Sequence, residues 1–207
     1  MASGSPLKPN KSGPTHNVKL SKLLSYILRH GAEKEGLHML PSGYVKVEDL
    51  LKHPKFKGYN LDNIRLVVQN NSKQRFQLNE DGAEVLIRAN QGHSIDVPDL
   101  ELTKLEPGEI EFAIHGTYEK CVSSIKEKGL SRMRRQHIHM VVDELQPGKV
   151  VSGARQSCDY VVRINVAKAQ KDGLEFFKSK NNVILCPGDE NGVILPKYFY
   201  SIHPRIF

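Results

Sequence analysis

The sequence predicts an α+β fold in which a small lobe of helices and one hairpin is followed by a lobe made mostly of β-strands. In residues 18–100, apolar side chains recur with helical periodicity before two short runs flank a turn that contains glycine. Beyond residue 109, short runs rich in valine and isoleucine are typical of strands. A chain of 207 residues is long enough for one large domain or two small ones.

The first helix is predicted at Leu20–His30, where leucine and isoleucine recur at intervals of three and four residues. Gly31 follows directly and suits the left-handed position that ends many helices. Arg29 and His30 therefore fall on the predicted last turn. Residues 1–17 are rich in serine, glycine, proline and lysine and lack the apolar segment of a secretory signal. We expect them to form a disordered tail.

Two more helices and a hairpin complete the predicted first lobe. Val47–Lys52 predicts a short helix, and Leu61–Gln69 predicts another with its apolar side chains on one face. Two short runs around the turn Asn79–Gly82 predict a β-hairpin. Helices followed by a hairpin indicate a winged-helix-like lobe over residues 18–100.

The second lobe is predicted to span residues 109–207. Pro98–Gly108, bounded by proline and glycine, predicts a linker before it. One helix is predicted at Tyr118–Lys128. Strands are predicted at Phe112–His115, His137–Val142, Tyr160–Val166, Val183–Leu185 and Val193–Leu195. A cleft between two such lobes is a common place for a binding site.

Charge and cysteine content narrow the classes of function. The net charge of +7 favours a polyanionic partner, because lysine and arginine release counterions when they meet phosphates. The three cysteines are far apart and form no C-x-x-C pair, which argues against a disulfide scaffold or a structural zinc site. No apolar run approaches the ~18–20 residues of a membrane helix. We expect reduced thiols, no membrane partner, a cytoplasmic and/or nuclear location, and a monomer.

In the first lobe, three polar segments could carry chemistry, and each also has a plain structural interpretation. Arg29 and His30 could simply complement the dipole at the end of their helix. Arg75 could be a solvated residue at the edge of a strand. Arg88–Ser94 gathers hydrogen-bond donors around one glycine, which suits anion binding, but it could equally be a polar surface turn.

The second lobe offers polar groups of the same kind. His115-Gly-Thr117 ends an apolar strand, where the glycine would let a ligand approach the backbone. His137 and His139 alternate in a strand and share a face, but no third ligand lies nearby, so we expect no metal site. Ser152-Gly-Ala-Arg155 is another small polar turn. No G-x-G-x-x-G or P-loop pattern is present, which argues against those nucleotide-binding sites.

Taken together and in order, these segments resemble the RNA (tRNA) 2′-phosphotransferase family over about residues 18–200. The matching segments are Leu20–His30, Lys73–Phe76, Arg88–Ser94, His115–Thr117, His137–His139, Ser152–Arg155 and Leu195–Phe199. The resemblance implies a winged-helix-like RNA lobe joined to an ADP-ribosyltransferase-like NAD lobe. It also implies an enzyme that removes the internal 2′-phosphate of spliced tRNA, or of other RNA, and consumes NAD without a metal.

The resemblance further implies the reaction and the residues involved. The RNA 2′-phosphate would attack C1″ of the NAD ribose and expel nicotinamide. The ribose 2″-OH would then attack phosphorus, giving 2′-OH RNA and ADP-ribose 1″,2″-cyclic phosphate. The catalytic set would be Arg29, His30, Arg75 and Arg135. NAD would be held by His115, Gly116, Thr117, His137, His139, Ser152, Gly153 and Arg155. RNA phosphates would be docked by Arg88, Asn90, Gln91, His93 and Ser94.

Two departures and two alternatives accompany the resemblance. Met140-Val-Val stands where the family more often has leucine and a Ser-Pro-Gly-like turn, and Arg134-Arg135 is a doublet from which Arg135 is chosen by its distance from His137. One alternative is an ADP-ribosyltransferase that stops after the first step, against which the presence of His30 and three arginines argues. The other is a winged-helix DNA-binding module, which Leu61–Gln69 disfavours because its only basic residue is an arginine.

Overall fold

The computed structural model describes residues 14–142 and 157–205 and has the α+β class that the sequence predicts. Its helices are α1 (Pro14–Tyr26), α2 (Val47–Lys52), α3 (Leu61–Gln69), α4 (Glu119–Lys128) and α5 (Val166–Lys171). Its strands are β1 (Val45–Lys46), β2 (Phe76–Asn79), β3 (Leu86–Ala89), β4 (Leu102–Lys104), β5 (Phe112–Thr117), β6 (Leu130–Ser131), β7 (Ile138–Met140), β8 (Tyr160–Asn165), β9 (Phe177–Ser179), β10 (Ile184–Cys186), β11 (Val193–Ile194) and β12 (Phe199–Pro204). None of the helices in these ranges is long and apolar enough to cross a membrane.

In the first lobe, α1 and α3 share an apolar core with the sheet β1-β3-β2. The predicted hairpin is confirmed, since β2 pairs with β3 in antiparallel register. Asn60 caps α3 by accepting from the Asn63 N–H at 2.9 Å, and the Asn63 side chain accepts from the Asn60 N–H in return. Leu24, Ile64 and Ile87 are fully buried, and burial of each such side chain contributes about 1.5–3 kcal/mol. The predicted apolar stripe of α1 is therefore the side that faces this core.

The first helix differs from its prediction at both ends. It begins at Pro14, inside the predicted tail, whose residues 1–13 lie outside the described part of the chain. After Tyr26 it continues as a π turn, Ile27–Gly31, and the residue after Gly31 is still right-handed. The prediction of Gly31 as a left-handed helix end is therefore wrong. A Cβ there would lie 2.7 Å from the Tyr26 ring, so a larger residue would have to displace that ring. This turn carries Arg29 and His30, and π turns are frequent at functional sites.

The second lobe is built from antiparallel sheets ordered β4-β9-β10-β7, β12-β8-β5 and β11-β6. Met140, Ile164, Phe176 and Ile184 are fully buried in its core. The middle of β5 lies beside the end of β7, because the backbones of Ile114 and Val141 exchange hydrogen bonds of 2.8 and 2.9 Å. The segment predicted as a linker instead contains β4, which pairs with β9 in antiparallel register.

Hydrogen bonds to backbone carbonyls join the two lobes. The N–H of Gln136 donates to the His93 carbonyl at 3.0 Å, and Asn181 Nδ2 donates to the Lys73 carbonyl at 2.9 Å. The loop that precedes β7 is thereby held against the segment that follows β3. Residues from both lobes consequently meet at one place.

Candidate active site

The π turn presents Arg29 toward the meeting point of the lobes. Its Nε and Nη2 are buried, and neither has a hydrogen-bond partner within the described residues. Arginine stays protonated at neutral pH, and a buried cation without a partner is costly. An orphaned guanidinium of this kind indicates a site for an anion that the protein itself does not supply.

His30, the next residue on the turn, is oriented by Ser94. The imidazole Nδ1 lies 2.8 Å from the Ser94 Oγ, and the Ser94 N–H donates to the Arg29 carbonyl at 2.9 Å. Ser94 therefore fixes both the backbone of the π turn and the ring of His30. Sequence reasoning placed Ser94 among the residues that dock RNA, and its contact with His30 could not be found from spacing.

Arg75, just before β2, is held by Asn71. The Asn71 Oδ1 accepts from the Arg75 N–H at 3.3 Å and from its Nη1 at 3.2 Å. The Arg75 carbonyl accepts from the N–H of Asn90 at 2.9 Å. The turn after α3 thus positions the guanidinium, and the residue after β3 holds the Arg75 backbone. Asn71 is a residue that sequence reasoning missed, since a polar turn after a helix carries no distinctive signal.

Arg135 comes from the second lobe, in the loop between β6 and β7. Its N–H donates to the Arg132 carbonyl at 3.0 Å, and Arg132 Nη1 donates to the Arg135 carbonyl at 3.0 Å, which closes a tight turn. Gln136 then bonds the backbone of His93. The Arg134 side chain is exposed, whereas Arg135 is half-buried on the side of the first lobe's arginines.

These cationic groups act on one another. Burial, followed by the charges of Arg135 and Arg75, lowers the pKa of Arg29 from 12.5 to about 10. The pKa of His30 is also lowered, first by burial and then by the charges of Arg29 and Arg135. Because Coulomb interactions decay with distance, these effects place all four side chains of the predicted catalytic set in one neighbourhood. At neutral pH the arginines are charged and His30 is neutral.

The polar segment that begins at Arg88 is buried. Arg88 is 3% exposed, and its Nη2 donates to Glu101 at 2.6 Å and to Gln77 at 3.0 Å. Its guanidinium also lies over the Tyr44 ring, 4.6 Å from the centroid. The donors of Arg88 are thus directed to protein groups, although the sequence led us to expect them on an RNA phosphate.

The rest of this segment forms a wall behind Arg29. Its other buried members are Asn90, Gln91 and His93. Gly92 has φ 93°, a conformation that favours glycine, and a Cβ there would lie 3.4 Å from the Arg29 Cζ. Burial, then the charge of Arg29, lowers the pKa of His93 to about 3. The segment therefore supports the arginine with neutral groups.

In the second lobe, the histidines expected to hold NAD lie on or next to the adjacent strands β5 and β7. His115 Nδ1 donates to the His139 carbonyl at 2.8 Å, which fixes the orientation of the His115 ring. His139 is buried, its Nε2 has no partner among the described residues, and burial lowers its pKa to about 3. His137 is half-buried at the start of β7, and Gly116 and Thr117 complete β5.

Two further expectations for the second lobe concern a polar turn and a metal ion. Ser152, Gly153 and Arg155 lie outside the described residues. Among the residues that are described, His, Cys, Asp and Glu side chains form no group of three or more that could hold a metal ion.

Comparison with known proteins identifies the family. A family model described as RNA 2′-phosphotransferase, Tpt1 / KptA family, matches residues 15–188. The chain belongs to this family. It is 47% identical over 195 residues to tRNA 2′-phosphotransferase 1 of Danio rerio, a match that covers 92% of this chain and 87% of the relative. Its identity to the Mus musculus protein of that name is 49% over 187 residues, covering 88% and 75%. The Homo sapiens protein is 45% identical over 195 residues, covering 92% and 77%.

Family membership makes the chain an enzyme, a transferase of the RNA 2′-phosphotransferase family. The family match includes the whole arginine cluster, which consists of Arg29, Arg75 and Arg135. It also includes His30 and the wall that begins at Arg88.

Proposed function

We propose that this enzyme transfers the internal 2′-phosphate of spliced tRNA, or of another 2′-phosphorylated RNA, to NAD. The observation that carries the proposal is the pair of buried Arg29 atoms, Nε and Nη2, that have no partner among the described residues. A phosphate offers three acceptor oxygens with the geometry that a guanidinium fork prefers. The positive charges of Arg75 and Arg135 beside Arg29 match a phosphate dianion.

In the first step the 2′-phosphate attacks C1″ of the nicotinamide ribose, and the bond from C1″ to nicotinamide breaks. The task of the arginine cluster is to hold the phosphate in line with that carbon and keep its free oxygens paired. Positioning of this kind can lower the activation barrier by several kcal/mol. It is the main contribution of the protein, because phosphoryl transfer needs little covalent chemistry from protein groups. The step leaves an RNA whose 2′-phosphate carries ADP-ribose.

In the second step the ribose 2″-OH attacks phosphorus, and the bond to the RNA 2′ oxygen breaks. The products are 2′-OH RNA and ADP-ribose 1″,2″-cyclic phosphate. We assign His30 as the base that takes the 2″-OH proton, since its lowered pKa keeps it neutral at pH 7. If Ser94 Oγ accepts from Nδ1–H, the basic lone pair lies on Nε2 of His30.

The residues on the adjacent strands β5 and β7 fit a nucleotide co-substrate. The orphaned His139 Nε2 is a buried polar atom that a bound group could satisfy. The bond from His115 Nδ1 to the His139 carbonyl fixes the orientation of the His115 ring. NAD supplies the electrophilic C1″ when bound, and polar side chains at these positions suit its amide and hydroxyl groups.

The test of this proposal follows a single 2′-³²P-phosphate on RNA that is incubated with the purified protein. We expect the label to leave the RNA only when NAD is present, and to do so equally in EDTA. His30→Ala should slow the second step by ~10²–10⁴-fold, so that ADP-ribosylated RNA accumulates. Release of label without NAD, or its loss on chelation, would contradict the proposal. Accumulation of that species in the unaltered enzyme would favour a transferase that stops after the first step.

A further inference from the structure

A groove runs along the first lobe from the arginine cluster. It consists of two hollows of about 460 and 610 Å³ that share the turn Asn70–Ser72, and we call it the asparagine groove. The first hollow lies between that turn and α1, with Arg75 in its wall and Lys22 at its rim. The second extends past Asn90 to Lys180 of the second lobe. The volume of the asparagine groove is typical of a ligand-binding site.

The lining of the asparagine groove has a distinct chemistry. Its polar residues are amides, hydroxyls and cations, and none of the described residues that line either hollow carries a carboxylate. Amides can donate and accept at once, as the edges of nucleobases and ribose hydroxyls require. Lys22 is exposed, while Lys180 also pairs with Glu101 at 2.9 Å. Neutral hydrogen-bonding groups between two lysines fit a short stretch of nucleic acid.

Two buried atoms in the groove, the Oδ1 of Asn17 and the Oδ1 of Asn90, lack a partner among the described residues. Asn90 is 7% exposed, its Nδ2 donates to the Gln74 carbonyl at 2.7 Å, and its backbone N–H bonds Arg75. Its Oδ1 is buried and accepts from no described residue. A buried amide oxygen without a donor is unfavourable, and an N–H or O–H group of a bound ligand would satisfy it.

The groove is joined directly to the arginine cluster. Asn71 lines both hollows, and the same residue holds the Arg75 guanidinium through its Oδ1. A phosphate bound at Arg75 would therefore leave the rest of its RNA strand at the mouth of the groove. Of the wall that begins at Arg88, Asn90 lines the groove, whereas Arg88 itself is buried and bonded to Gln77 and Glu101.

We propose that the asparagine groove binds the nucleotides that flank the 2′-phosphorylated position, with a flanking base against its amide groups. This inference rests on the proposed function and adds to it where the RNA strand lies. It predicts that the enzyme recognises more of the RNA than the reacting phosphate.

The experiment measures kcat/KM for substrates of increasing length with NAD present. The substrates are a nucleoside 2′-phosphate, oligonucleotides with two nucleotides added on the 5′ or the 3′ side, and the same oligonucleotides with abasic flanks. The variants are Ser72→Asp and Lys22→Glu, both at exposed positions in the groove. Lys126→Glu is the matched control, because Lys126 is an exposed lysine on α4 and does not line the groove.

We expect added nucleotides on at least one side to raise kcat/KM tenfold or more. Abasic flanks should forfeit most of that gain. In Ser72→Asp and Lys22→Glu the gain should fall to threefold or less, whereas Lys126→Glu should keep it. Three outcomes would overturn this inference alone. The first is transfer without any gain in kcat/KM from flanking nucleotides. The others are a full gain in both groove variants and a full gain with abasic flanks. Absence of transfer with every substrate would overturn the proposed function as well.

Discussion

Arg29 and Arg88 are both arginines in polar segments, yet the structure treats them in opposite ways. Arg88 donates to Gln77 and Glu101 and stacks over an aromatic ring. Arg29 has two buried nitrogen atoms without a described partner and stands beside the charges of Arg75 and Arg135. The Arg88 donors are directed to protein groups, whereas two buried Arg29 donors have no partner among the described residues.

This contrast shows how hydrogen-bond accounting separates a structural arginine from a binding one. Buried polar groups in folded proteins are almost always paired, so two buried nitrogen atoms of Arg29 without a described partner, beside other positive charges, mark stability given up for function. Segments that look equally polar in sequence can therefore have different roles. Arg88 holds the wall in place, and that wall supports Arg29 from behind through Gly92.

The largest expected effect is on catalysis. Arg29→Met should slow turnover of the 2′-phosphorylated RNA by about 10³-fold, as loss of a preorganised donor to transition-state charge typically does. Its free energy of unfolding should stay equal or rise, because a like-charge repulsion is removed. Enzyme assays and urea titrations on one preparation measure both quantities. If Arg29→Met lost stability as well as activity, Arg29 would be a structural residue like Arg88, and the prediction would be wrong.

Arg88→Met should produce the opposite pattern. Replacing this buried arginine removes its bonds to Gln77 and Glu101, and we expect the free energy of unfolding to fall by roughly 2–3 kcal/mol. Transfer activity per folded molecule should change by less than about tenfold, well short of the loss expected for Arg29. Urea unfolding and assays below the melting temperature provide the test. A stable Arg88→Met enzyme without activity would instead restore a role in phosphate binding.

The buried histidines should make the fold sensitive to acid. His93 and His139 have pKa values of about 3 in the folded chain, below the ordinary 6.5, so the unfolded chain takes up their protons first. Their contribution to stability is complete above pH 6.5 and decreases as the pH falls toward 3. Each can cost up to ~1.4 kcal/mol per pH unit in that window.

The matched variant for this prediction is His93→Gln. Unfolding free energies at pH 7.5, 6.5, 5.5 and 4.5 should decline less steeply in the variant than in the parent enzyme. The difference in slope should be at most ~1.4 kcal/mol per pH unit, the value for one bound proton. Carboxylates affect both proteins equally and cancel in the comparison. Identical slopes would mean that His93 is protonated alike in the folded and unfolded chains.

A smaller effect is expected at Ser94. Ser94→Ala removes the partner of His30 Nδ1 and should reduce the second chemical step by about tenfold, because the ring loses its fixed tautomer. Ser94→Thr, which keeps a hydroxyl, should restore most of the rate. The pH–rate profile of the alanine variant should also shift on its acidic side. An unchanged profile together with failure of rescue by threonine would indicate a purely structural role.

Much of the fold could be predicted because periodicity reports local structure. The helices Leu61–Gln69 and Tyr118–Lys128 and the hairpin around Asn79–Gly82 lie close to where the sequence places them. The strand Leu102–Lys104 was mistaken for a linker, because pairing with Phe177–Ser179 is a long-range contact that leaves no local pattern. The π turn was missed because Ile27 and Leu28 continue the apolar stripe of the preceding helix.

For the candidate site, residue types were informative and contacts were not. The resemblance to the family singled out Arg29, His30 and Arg75 together with Arg135 of the distant second lobe. Only the folded chain reveals that Asn71 holds one of them and that the Arg88 donors are already paired. Those partners come from positions with no motif of their own, so sequence alone could not separate binding residues from supporting ones.

Thermal stabilisation by a 2′-phosphorylated dinucleotide tests the role of the arginine cluster most directly. A ligand that binds only the folded state raises Tm, by the equivalent of about 2.7 kcal/mol at 100 times its Kd. The 2′-phosphorylated dinucleotide should raise the Tm of the parent enzyme and of Arg88→Met, while the same dinucleotide with a 2′-OH should raise it much less. In Arg29→Met this difference between the two ligands should disappear. If Arg29→Met keeps the full difference, the unpaired arginine does not bind the phosphate, and the proposed mechanism is contradicted.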